Sequence, residues 1–169
     1  MKARHCYERA LLLLRKTGNR LHEGSVLGNL GLLLKYEGKL SQAEQCYKEA
    51  IQIHRGLGNT RSLGIALGNM GDLMLLQDNL AGAEKSLEQS IAICDVIFPI
   101  AGGVFRGSLG EVLAKKGKSK AARVLLRKGE DILRGTNTIE LGKLLCKRAM
   151  IELDDNNQLV AEKYFHEAQ

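Results

Sequence analysis

Asn29 and Asn69 stand forty residues apart, each preceded by a glycine, in the matching strings Gly28-Asn29-Leu30-Gly31 and Gly68-Asn69-Met70-Gly71. A carboxamide offers two hydrogen-bond donors and an acceptor, so it can pair with the backbone of an extended peptide whatever that peptide's side chains. The adjacent glycine leaves room for such a backbone. A structural reading stands beside this one, in which each asparagine bonds a neighbouring helix or loop and only orders the packing. Arg20, Arg61 and Arg106 each carry a guanidinium that matches a carboxylate bidentately, against the plainer reading of a solvated surface charge.

Catalytic and metal chemistry find no comparable pattern. His5, His22, His54 and His166 are scattered, and no two sit at the i, i+4 spacing that aims both rings at one zinc ion. Cys6, Cys46, Cys94 and Cys146 form no C-x-x-C pair and read as reduced core thiols. His5 and Cys6 are sequence neighbours, so on a helix they diverge and cannot act as a nucleophile pair. The glycines lack both the Gly-Lys-Ser/Thr ending and the strand context of a phosphate loop. No catalytic residue, metal or cofactor is expected.

The elements that must position the asparagines are helices. The 169 residues are 44% apolar and 26% charged, with one proline and 4% aromatics, which suits long helices packed through aliphatic side chains. No apolar run approaches the ~20 residues that cross a bilayer, and the amino terminus lacks the pattern of a secretory signal, so the expected compartment is the cytoplasm.

The chain matches itself at a shift of forty: Ala43-Glu44-Gln45-Cys46-Tyr47 falls on Ala83-Glu84-Lys85-Ser86-Leu87, and Cys46-Tyr47 falls back on Cys6-Tyr7. At a shift of 39 the pattern continues through Leu109-Gly110, Ala122 and Leu126, then fades through Ala149, Ala161, Phe165 and Ala168. Within a unit, apolar residues recur at helical spacing in two runs, Leu27 to Leu34 and Leu40 to Ile51. Turn residues at 37–39, 77–79 and 116–118 separate the two helices of a unit, and Thr17-Gly18-Asn19 and Gly56 to Asn59 separate units. This predicts helices near 2–16, 20–36, 40–56, 60–77, 80–97, 101–116, 119–134, 137–154 and 157–168, with Pro99 stopping the fifth. They form a half repeat at 1–18 and four repeats at about 19–58, 59–98, 99–135 and 136–169.

Leu27, Leu30, Gly31, Leu34, Ala43, Tyr47 and Ala50 resemble the tetratricopeptide repeat pattern, W-x2-L-G-x2-Y followed by A-x3-F and a small residue. Leu67, Met70, Gly71, Met74, Ala83, Leu87 and Ser90 repeat it, and copies beginning at Arg106 and Leu145 carry it further. The last copy departs from the pattern, with Arg148 and Glu152 at apolar positions. Forty residues exceeds the ~34 of the common repeat and is similar to the longer subclass of kinesin light chains, cortical spindle-orienting adaptors and bacterial signalling proteins. The resemblance implies an all-α, right-handed superhelical solenoid of helix hairpins, whose first helices line a concave groove. It also implies that an asparagine at the place of Asn29 and Asn69 contacts peptide ligands.

The groove set is then Asn29, Asn69, Gly28, Gly68, Leu32, Tyr36, Asp72, Arg106, Ser108 and Lys147, and the expected function is a non-enzymatic scaffold for a protein or peptide segment. Between Arg106 and Arg134 nine Lys or Arg face three Asp or Glu, which accounts for the whole net charge of +6 and points to an acidic partner. The lysines at 115, 116, 118 and 120 also read simply as a solubilising turn. The main alternative is a regulatory or sensor segment of a larger, bacterial signalling protein, since the chain opens on an unmated second-type helix and ends without a polar cap. The same open ends allow self-association. Nucleic-acid binding through 106–134 is disfavoured, because no aromatic residue interleaves those charges to stack on bases.

Overall fold

Left-handed residues and asparagine caps, rather than prolines, cut this chain into helices. The structure, a computed structural model, describes residues 2–169. Among them are nine helices: α1 (Lys2–Lys16), α2 (Arg20–Tyr36), α3 (Leu40–Gly56), α4 (Thr60–Leu76), α5 (Leu80–Ile97), α6 (Pro99–Lys115), α7 (Ser119–Leu133), α8 (Thr138–Asp154) and α9 (Gln158–Glu167). Within each helix pair the chain reverses through one residue of positive φ, at Gly38, Asp78, Gly117 and Asn156 in turn, a conformation that glycine, asparagine and aspartate adopt most readily. Asn19, Asn59, Asn79 and Asn137 open the following helices by accepting a hydrogen bond from the backbone N–H three residues on, satisfying one of the donors that a helix start leaves free.

The α5–α6 junction breaks the rule. Pro99 does not merely stop a helix; it is the first residue of α6, where its missing N–H costs nothing. Phe98 before it, at φ −151° and ψ 70°, lies outside the helical region. The linker is thus one residue, and this shortens the repeat from forty to 39.

The pairs α2/α3, α4/α5, α6/α7 and α8/α9 pack as antiparallel hairpins, and each second helix also packs on the next first helix. First helices touch in succession, α2 on α4, α4 on α6 and α6 on α8, whereas no two second helices meet among the described residues. The row that touches its own kind is the inner one, so α2, α4, α6 and α8 form the inner wall of a solenoid.

What lets each pair close is a side chain of the second helix sunk into a glycine of the first. A Cβ on Gly31 would lie 2.8 Å from the Tyr47 ring, one on Gly71 2.6 Å from Leu87, and one on Gly110 2.7 Å from Leu126. A turn or two earlier, Gly24, Gly64 and Gly103 receive Ile53 with His54, Ile93 with Cys94, and Ile132 with Leu133. Tyr47, Leu87 and Leu126 are wholly buried. Of the four cysteines, however, only Cys94 is a core thiol; Cys46 is half-buried, and Cys6 and Cys146 are exposed.

The fourth repeat closes by charge instead. Arg148 is 6% exposed, bonds Glu130 of α7 and the Tyr164 hydroxyl of α9, and lies 4.1 Å from the Tyr164 ring centroid. Glu152, equally buried, accepts both arms of Arg123 at 2.7 and 2.9 Å and the Asn157 amide at 2.9 Å. The two residues at odds with an apolar pattern are therefore each held by partners from neighbouring helices and turns, although Arg148 Nε stays buried without one.

Two outcomes follow from this packing. Gly31→Leu has to displace a fully buried ring and should cost about 1–3 kcal/mol in chemical denaturation. The Arg123 hydrogen bonds hold the Glu152 carboxyl below its ordinary range, so its stabilisation is complete above the unfolded value of about 4.3 and is lost as pH falls through the lower folded value. Hydrogen exchange across that acid range should show α8 and α9 losing protection before α4 and α5, and Glu152→Gln should remove the difference.

Candidate functional site

Side chains that leave the inner wall from α2 and α4 meet over a gap that small residues create. Gly28 has nothing within 4 Å of the position a Cβ would occupy, and Ala66 faces it from α4. Between them opens a cavity of 180 Å³ lined by Ser25, Gly28, Asn29, His54, Ser62, Ala66 and Asn69, among others. Asn29 is exposed and Asn69 half-buried, and neither side chain has a hydrogen-bond partner within the protein among the described residues. The two carboxamides are thus brought together with their donors and acceptors free.

The next gap is closed. Phe105 of α6 stands one repeat on from Ala66, and its ring covers Gly68 so closely that no Cβ would fit there. Gly68 therefore leaves no room for a ligand backbone: its lack of a side chain accommodates Phe105. Beyond this block the wall opens again, where Lys35, Asp72, Leu76, Ser108, Glu111, Lys115 and Lys147 line a cavity of 340 Å³. Lys147 Nζ donates to Ser108 Oγ at 3.1 Å and pairs with Glu111 at 3.4 Å. One oxygen of Asp72 is shielded from solvent without a hydrogen-bond partner. The structure thus joins Asp72, Ser108 and Lys147 in one cluster, separate from the two asparagines.

Leu32 is half-buried and Tyr36 is 79% exposed; neither lines these two cavities, and the Tyr36 ring carries Lys35 Nζ 5.7 Å from its centroid. Arg106 is not a groove residue. It is buried, and both its terminal nitrogens donate to Asp95 at 2.6 Å, which holds the Asp95 carboxyl below the usual range. Arg20 pairs with the buried Glu23 at 2.5 Å, and Arg61 lies 4.3 Å from the centre of the Phe98 ring. Arg20 and Arg106 are thus engaged by carboxylates of the protein, whereas Arg61 meets an aromatic face and no carboxylate among the described residues.

The basic segment dissolves in the same way. Of its nine cations, Arg106, Lys115, Lys116, Lys118, Arg123 and Arg134 all meet carboxylates, mostly from neighbouring repeats.

His54 is the lining residue of the asparagine cavity that the pattern of histidines does not single out. It comes from α3, is 2% exposed, and forms part of the floor beneath Asn29 and Asn69. Its equivalents one and two repeats on are Cys94 and Leu133, both core residues, which is the only signal that this histidine belongs inside.

The family model described as tetratricopeptide repeat matches residues 1–56 and 24–95, together more than half of the 169 residues. Among solved structures, kinesin light chain TPR-like repeats from Podosopora anserina align with 99% of this chain and 84% of theirs, at 14% identity and a TM-score of 0.74. A single-residue variant of those repeats has 13% identity, the same coverage and a TM-score of 0.77. MamA aligns with 98% of this chain and 84% of its own, at 20% identity and a TM-score of 0.66. Identities this low speak for the fold alone. A comparison with curated protein sequences gives no match.

Burial pushes the His54 imidazole below its ordinary value, so the unfolded chain binds its proton first as pH falls. Stability should be complete above about 6.5 and decline as pH drops through that value toward the lower folded one. Thermal melts from pH 7.5 to 5 should show the decline, and His54→Leu, which installs the residue type found at 133, should flatten it.

Proposed function

Since this chain belongs to the tetratricopeptide repeat family, whose arrays generally mediate protein–protein interaction, we propose that its inner wall binds an extended segment of a partner protein. The observation that carries this reading is the pairing of Asn29 and Asn69 over one cavity, both with unspent hydrogen-bonding capacity. Two carboxamides at one repeat's spacing suit the backbone of an extended chain. The Phe105 block then divides the wall into a neutral station around the asparagines and a charged station around Asp72, Ser108 and Lys147.

Charge on the wall is balanced. Lys35, Lys115, Lys143 and Lys147 are matched by Asp72, Glu111, Glu140 and Asp154 in its cavities. The sequence points to an acidic partner, but with six of the nine cations of the basic segment meeting the protein's own carboxylates the wall favours a segment that is polar at one end and carries both signs at the other. A second reading, in which flexing of the array regulates an attached activity, draws support from the ion-paired seam between α7 and α8, because a seam held by carboxylates loosens when they are protonated.

With a partner isolated by co-purification, titration calorimetry should show the Asn29→Ala, Asn69→Ala double variant binding at least tenfold more weakly, at about 1 kcal/mol or more for each lost pair of hydrogen bonds. Lys85→Ala on the outer helix α5 should bind as the unaltered protein does. The reverse pattern, with loss at the outer wall and none at the asparagines, defeats the assignment.

A further inference from the structure

We propose that the open gap between α2 and α4 is a socket for one side chain of the bound segment, and that it selects the carboxamide of a glutamine or asparagine over a carboxylate, an ammonium or an alkyl group. The occupant rests on the inner-wall reading above; the selection is a separate claim.

Three gaps separate successive inner helices, and the protein itself fills two of them. Phe105 occupies the gap at Gly68, and Leu144, one repeat further on, comes within 3.8 Å of where a Cβ on Gly107 would stand. The equivalent place in the first gap holds Ala66, and no atom stands within 4 Å of the Cβ position on Gly28. What is left open there, 180 Å³, is the room that a larger side chain takes up in the later repeats.

The lining of this gap is polar and uncharged. Ser25, Asn29, His54, Ser62 and Asn69 contribute to it, and no Lys, Arg, Asp or Glu does, whereas the cavities further along the inner wall hold charges of both signs. His54 makes the floor polar where Cys94 and Leu133 take its place in the next two repeats. Burial holds its imidazole below the ordinary value, so the ring is uncharged at neutral pH, and its Nδ1 is shielded from solvent without a hydrogen-bond partner. Among the described residues the carboxamides of Asn29 and Asn69 and the hydroxyl of Ser62 also lack partners; only the backbone N–H of Ser62 is engaged, by Asn59.

These free groups decide the occupant. A carboxylate or an ammonium would lose hydration with no counter-charge in the lining. An alkyl group would displace water from the carboxamides and the hydroxyl and return no hydrogen bond. A hydroxyl brings a single donor, whereas a carboxamide brings two donors and an oxygen with two lone pairs and bears no charge. Asn29, exposed at the rim, is left to the segment's backbone, and the half-buried Asn69 and Ser62 meet its side chain.

Four heptapeptides, Ac-Gly-Ser-Ala-X-Ala-Ser-Gly-amide with Gln, Glu, Lys or Leu at X, test the selection when titrated against the full chain at pH 7.5, read from the side-chain amide resonances of Asn29 and Asn69. The Gln peptide should bind at least tenfold more tightly than the other three. Ala66→Leu, which fills the gap with the residue type found at 144, should weaken the Gln peptide tenfold or more. Ser62→Lys places a cation in the lining and should make the Glu peptide the tightest of the four; a role for Ser62 in packing alone would weaken all four alike. Equal affinities, or an order that Ser62→Lys leaves unchanged, overturn the selection. Binding of the Gln peptide that Ala66→Leu does not weaken, or no movement of either resonance with any peptide, overturns the socket. The inner-wall reading is judged apart from these outcomes, by the calorimetry of the Asn29→Ala, Asn69→Ala variant with the co-purified partner.

Discussion

A buried side chain that occupies the space of an absent Cβ is the contact on which the rest of this solenoid depends. Tyr47 over Gly31, Leu87 over Gly71 and Leu126 over Gly110 bring the two helices of each hairpin closer than paired alkyl side chains would allow. Interiors are close-packed, so such a notch accepts one register and resists others. Once the hairpins are this thin, successive first helices come into contact with one another, and the inner wall and its cavities are what that contact leaves between them. Where Ala66 meets Gly28 there is space; where Phe105 meets Gly68 there is none.

The helices are legible in the sequence because their ends are chemically marked. Gly38, Gly117 and the asparagine caps lie where the turn residues predict, and most helix bounds agree with the structure to within a residue or two. The start of α6 differs from the expectation, since Pro99 stops one helix and also begins the next. Asn29 and Asn69 are visible as a pair because a fixed repeat puts equivalent residues on one wall. The fates of Arg106, Gly68 and the basic segment are not visible. Each is decided by a residue of another helix: Asp95 from the preceding helix, Phe105 from the next inner helix, and carboxylates roughly thirty residues distant. Periodicity reports which side of a helix a residue occupies, but which side chain arrives opposite is a matter of tertiary packing. Cys6 and Cys146 illustrate the same limit, because apolar character alone suggests a core that neither occupies.

The fourth repeat shows how a degraded pattern can still pack. Arg148 and Glu152 stand where aliphatic residues would be expected, and each is held by two partners from flanking helices. Buried charge contributes less net stability than a well-packed apolar core would, and removing one partner is costly. The array therefore passes from an apolar, glycine-notched interior at α2 to α7 into one at α7 to α9 where buried ion pairs stand among the apolar residues, so its mechanical character changes along its length.

On the outside, each second helix reaches the hairpin turn of the following repeat through a polar contact at an equivalent place. Arg4 meets Glu37 at 3.2 Å, Glu44 accepts from Gln77 at 3.4 Å, Glu84 pairs with Lys116, and Arg123 meets Asp155 at 2.6 Å. Exposed pairs of this kind add little energy individually, but their signs differ from junction to junction. The four units are consequently not interchangeable bricks. Excising the third would set the carboxylates of Glu84 and Asp155 against each other, so recombination between repeats can shorten or lengthen this array without electrostatic conflict only at junctions whose polarities happen to agree.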